Sequence, residues 1–132
     1  MSLRRAIVQQ LRNQVFELGG RVFQAYLAPS NVITPYATVK FATERQAANI
    51  GFAGTQTIEV YLYRGLDSYI GLDALRQDVV KALNGVVITD AESGSRFVIR
   101  WAGSAGDVVD EERKLIGAVV SFDAATIHDT RR

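Results

Sequence analysis

Between Thr55 and Leu83 the chain changes its apolar period, and that change limits the folds open to it. From Thr55 to Tyr63 the residues alternate, with Ile58, Val60 and Leu62 on one face and Thr57, Glu59, Tyr61 and Tyr63 on the other. A period of two is that of a strand with one buried face. Leu72, Leu75, Val79 and Leu83 then recur at helical spacing, and Asn84-Gly85 supplies the left-handed stop that ends such helices. A strand followed by an amphipathic helix must turn both apolar surfaces to a shared core, so the architecture is mixed α and β.

The rest of the chain repeats these two patterns. Leu3, Ile7, Leu11, Val15 and Leu18 form one helical stripe, with Ser2 as its cap and Gly19-Gly20 as its stop. Arg4, Arg5, Gln9, Arg12, Asn13 and Glu17 fall on its solvated faces. A strand is expected over 21–27, ended by the turn chemistry of Ala28-Pro29-Ser30-Asn31. From Tyr36 to Phe41, Ala37, Val39 and Phe41 share one face and Tyr36, Thr38 and Lys40 the other. Strands are also expected over 86–89, 96–102 and 115–127, the first two as a hairpin about the turn 90–94. Phe97, Ile99 and Trp101 mark the apolar face of the middle one, against Arg96, Val98 and Arg100. In the last, Ile116, Ala118, Val120 and Phe122 point inward. The order helix, two or three strands, helix, three strands gives an α+β fold, a mainly antiparallel sheet with two helices packed on one face.

At 132 residues with 48% hydrophobic and 22% charged residues, the chain fits one globular domain over 1–132. The extreme N-terminus is read as a possible vector remnant, and the residues from about 128 as a flexible tail. Fifteen basic and 14 acidic residues give a formal charge of +1, so no global field draws the chain to nucleic acid or to an anionic membrane. No run approaches the roughly 18 apolar residues of a membrane helix, and no secretory signal leads the chain, so a cytoplasmic setting is expected.

Few residues offer chemistry. There is no cysteine, which excludes disulfides, thiolate nucleophiles and cysteine-ligated metals. The one histidine, His128, stands in the polar tail, where it serves neither a nucleophilic triad nor, alone, a metal site. Asp107, Asp110, Glu111 and Glu112 match no calcium loop and are expected to form an exposed, charged connection. The glycine pairs at 51–54 and 103–106 lack the lysine and further glycines of a phosphate-binding loop. Tyr61, Tyr63 and Trp101 are aromatics of the kind that stack single-stranded bases, but no basic cluster accompanies them. No catalytic residue, cofactor or metal ligand is therefore expected.

What remains is surface. The small, polar stretch 42–54 is expected to be a long loop, on which Ile50 and Phe52 either dock a partner or tuck back onto the core. Thr57, Glu59, Tyr61 and Tyr63 either form a contact face or lie beneath a helix of the same chain. Tyrosine and arginine are enriched at protein interfaces, and only three of the 15 basic residues are lysines, Lys40, Lys81 and Lys114.

In its element order the chain resembles the tail-completion, or tail-terminator, proteins of long-tailed bacteriophages and prophages. The resemblance rests on the opening helix with Gly19-Gly20, on Arg21-Val22-Phe23 leading to Ala28-Pro29, and on the Pro35-Tyr36 strand entry. It continues through Thr57-Ile58-Glu59-Val60-Tyr61-Leu62-Tyr63, the helix from Leu72 to Gly85 and the closing apolar strand. The resemblance implies a ring, typically of six copies, that caps the tail tube, stops its polymerisation and meets the head-tail connector. DNA would pass through such a ring without sequence-specific binding, with Arg96 or Arg100 as candidates to face it. The place of action would be the virion tail, after assembly in the host cytoplasm. The alternatives are another neck or head-completion protein and a small-molecule-binding or enzymatic domain with a pocket between the sheet and the 42–54 loop.

Overall fold

The structure, a computed structural model, describes residues 3–24, 33–46, 54–89, 94 and 96–127, with side chains at 42–46, 54, 55, 68 and 69 left aside. Ile50, Phe52, His128 and the expected turns at 28–31 and 90–93 lie outside the described residues.

Two helices and six strands follow one another as α1 (Leu3–Gln14), β1 (Val22–Gln24), β2 (Tyr36–Gln46), β3 (Gly54–Gly65), α2 (Leu72–Leu83), β4 (Val87–Thr89), β5 (Arg96–Asp110) and β6 (Leu115–Ile127). The strands form one sheet in the order β1-β2-β3-β6-β5-β4, antiparallel except for the β1–β2 pair. The fold is thus α+β with a mainly antiparallel sheet. Both helices lie on the face that carries Ile58, Val60 and Leu62, and they bury Ile7, Leu11, Leu75 and Val79 against it. Phe122 is fully buried at the middle of β6, between Ile58 on β3 and Trp101 on β5. Burying a large aromatic side chain stabilises the folded state by about 2–3 kcal/mol.

Helix α1 stops four residues short of the expected Leu18. Val15 is extended at φ −107° and ψ 92°, and a single 3-10 turn over 16–18 returns the chain through the left-handed Gly19. The break still buries Val15 and Leu18, while Phe16 swings out to 88% exposure. β1 is described over Val22–Gln24 and runs parallel to β2; residues 25–27 of the expected strand lie outside the described residues.

Two expected loops are strand instead. Residues 42–46 and 54 extend β2 and β3 as a long antiparallel ladder, with a bulge between Phe41 and Thr43. Small polar residues have low strand propensity, but ladder hydrogen bonds to an adjoining strand override it. In the same way β5 continues past Ala102 to Asp110, through bulges at Trp101/Gly103 and Gly106/Val108. Asp107 and Asp110 are therefore strand residues, and only 111–114 form the turn. Trp101 stays on the helix face, as its spacing indicated, but lies beside α2 rather than beneath it and is 50% exposed.

Candidate interaction face

The alternation of β3 places Thr57, Glu59, Tyr61 and Tyr63 on the face opposite both helices. Register then decides their neighbours. Tyr63 stands opposite Tyr36 on β2 and Gly117 on β6, and Gly117 stands opposite Val108 on β5. The next row is Thr38, Tyr61, Val119 and Ala105; after it come Lys40, Glu59, Ser121 and Gly103. Thr57 stands opposite Asp123, which stands opposite Arg100, and Arg96 lies two pleats further along β5 on the same face. Six of the eight expected interface residues thus share one surface, and none of the described helices covers it.

Local chemistry holds the face in shape. The Tyr36 and Tyr63 rings stack with centroids 4.7 Å apart and planes at 22°. Gly117 lies beside the Tyr63 ring, and a Cβ there would touch the ring at 3.5 Å and press on the Leu62 carbonyl at 3.2 Å. The Tyr61 hydroxyl donates to Glu59 Oε1 at 2.8 Å. Lys40 opposite Glu59, and Arg100 opposite Asp123, set unlike charges side by side across the ladder. Charge on the face is balanced, unlike the basic track that a nucleic acid requires.

The end of the β5–β6 hairpin closes over one corner of this face. Tyr36, Tyr61 and Tyr63 with Val108, Asp110 and Arg113 line a pocket of about 270 Å³. Burial, and next the neighbouring Tyr63, hold the Tyr36 hydroxyl above its ordinary pKa of 10.0. On the opposite face a groove of about 550 Å³ runs between α2 and β5, from Asp73 and Arg76 past Val80 to Trp101 and Ser104. Arg76 bridges Asp73 at 3.0 Å and Asp107 at 3.3 Å, which ties α2 to β5. Among the described residues the most exposed large apolar side chains, Phe16 at 88%, Ile70 at 80% and Ile33 at 74%, stand just after α1, just before α2 and just before β2. The Glu17–Arg64 ion pair at 2.7 Å joins that corner together.

Sequence reasoning did not include Tyr36, Lys40, Asp123, Val108 or Gly117 in this surface. Periodicity had placed Tyr36 and Lys40 on the polar side of their strand; the missing information was which strands stand beside which. Among the described residues no group of His, Asp or Glu could hold a metal ion. No described helix is long and apolar enough to cross a membrane.

Known proteins share this arrangement. No family model and no curated protein matches the sequence. A chain in the solved virion of a native gene transfer agent (GTA) particle is similar over 95% of this chain and 94% of its own length, at 19% identity and a TM-score of 0.72. A second solved structure, whose name states no function, is similar over 98% of this chain and 100% of its own, at 9% identity and a TM-score of 0.65. These likenesses establish the fold, and establish it over nearly the whole chain.

Proposed function

We infer that this protein is a structural subunit of a phage-like particle, a tail-terminator-like chain that works through its surfaces and catalyses no reaction. Copies would form a ring, of six in the simplest case, that caps the tail tube, ends its growth and offers a surface to the head-tail connector. The observation that carries this reading is the sheet face left open by both helices, where stacked tyrosines and paired charges occupy a span of four strands. A monomer has little use for two large amphipathic rings on an open sheet, whereas an assembly interface uses such residues as anchors. Similarity of fold to a chain of a virion supports the same reading.

The test is to add the purified protein to polymerising tail tubes from the same particle and image the ends by electron microscopy. Capped tubes of uniform length are expected. The double variant Tyr61→Ser/Tyr63→Ser should keep its far-UV spectrum and lose capping. Capping that survives the double variant would remove the open face from the contact, and tubes that never cap with the unaltered protein would end the terminator reading.

A further inference from the structure

Asn84-Gly85, which ends α2, is also the one pair in the sequence in which an asparagine precedes a glycine; Asn13, Asn31 and Asn49 are followed by larger residues. That pair is the one most open to self-modification. Glycine has no side chain to hinder its own backbone nitrogen, so the nitrogen can close a cyclic imide on the amide carbon of the asparagine before it. Asn84 and Gly85 are both exposed, so water and base reach them.

The fold holds the pair away from that reaction. At Asn84 a ψ of 123° turns the Gly85 nitrogen away from the Asn84 side chain and brings the main-chain carbonyl towards it. Both reacting groups are then tied to β5. The Gly85 N–H donates to the Ile99 carbonyl at 2.6 Å, and the Trp101 N–H donates to Asn84 Oδ1 at 2.9 Å. Rotating ψ far enough to bring the Gly85 nitrogen onto Asn84 Cγ breaks the bond to Ile99.

What keeps those bonds closed is a short clasp. Ile99 also donates to the Val86 carbonyl at 2.9 Å, and from there β4 pairs with β5 only over Val87–Thr89. Ile88 is the one buried side chain of β4. A three-residue strand with a single buried anchor opens at a lower free energy than the domain as a whole.

We propose that Asn84-Gly85 is a modification site gated by β4: the chain deamidates itself there when β4 lifts from β5, and the closed ladder prevents it. In the open state the Gly85 nitrogen gives its proton to a base from solvent and bonds to Asn84 Cγ. The Cγ–Nδ2 bond breaks, and Nδ2 takes up a proton and leaves as ammonia. Water then opens the imide at either carbonyl. One product is an aspartate with the original main chain, the other an isoaspartate whose main chain runs through Cγ. The aspartate still offers Trp101 an acceptor, and it adds a negative charge at the C-terminal end of α2, where the helix dipole disfavours it and Lys81 in the last turn opposes that effect. The isoaspartate adds one carbon to the main chain between α2 and β4, so Gly85 cannot meet Ile99 while Val87 keeps its register with Val98. Reaction there acts as a one-way latch that leaves β4 open. None of this depends on the chain being a particle subunit.

The full chain is incubated in mildly alkaline buffer, folded and in guanidinium chloride, and conversion at position 84 is followed by peptide mass mapping with detection of isoaspartate. Conversion should be at least about tenfold slower in the folded chain. Ile88→Ala, shown by circular dichroism to be folded, removes the anchor of β4 and should convert at least about threefold faster than the unaltered folded protein. Rates within about twofold of each other in the folded and unfolded chain would overturn the protection. An unchanged rate in Ile88→Ala would overturn β4 as the gate. Should that variant unfold, the unaltered protein in guanidinium chloride below its unfolding transition decides the matter. Conversion should then rise in step with exchange of the Gly85 amide, and conversion that stays level while that exchange quickens would exclude the gate.

Discussion

Tyr36 shows how far a single side chain depends on its neighbours. Alone on an open sheet its hydroxyl would ionise near 10.0, but the closing hairpin and the stacked Tyr63 disfavour the phenolate and raise that value. A raised pKa in the folded state means that the unfolded chain loses the proton first. The stabilising effect is present below about pH 10 and is lost as pH climbs through the raised value. Stability should therefore decline with a steeper slope above pH 10 in the native protein than in Tyr36→Phe, measured by denaturant titration across the alkaline range. Equal slopes would mean that the hydroxyl stays as solvated as in a peptide.

Strand β6 is the element on which the fold turns. It is central in the sheet, pairs with β3 along eleven residues and with β5 along thirteen, and carries Ile116, Ala118, Val120 and Phe122 into the core. Its inward set follows from alternation alone, and the structure keeps every member of it. Phe122 is fully buried, so Phe122→Ala should lower unfolding stability by about 3–5 kcal/mol. A loss under about 1 kcal/mol in urea titration would show that the core refills the space. The ends of β2 and β5 behave differently. Their small and polar residues carry no strand signal, and they are strand because neighbouring backbones offer hydrogen-bond partners. Their sequence reads as loop for that reason, and Asp107 and Asp110 read as connection.

At the scale of the whole molecule the charges are local and nearly balanced. Fifteen basic residues meet 14 acidic ones, Lys40 faces Glu59 and Arg100 faces Asp123. Exposed pairs of this kind contribute little and are screened by salt. Assembly through the tyrosine face should thus vary less than about threefold in affinity between about 0.05 and 0.5 M salt. A fall of tenfold or more by sedimentation would instead point to a contact driven by charge. The two apolar periods leave undecided how the strands stand side by side. What the residues by themselves determined was local: where the two helices and the apolar part of each long strand lie, which face of each is apolar, and that cysteine chemistry is absent. Tertiary structure decided which polar faces join into one surface and that both helices leave the tyrosines uncovered. The reason is physical, since periodicity is set by the geometry of one segment, whereas register and edge closure depend on hydrogen bonds between segments far apart in the chain.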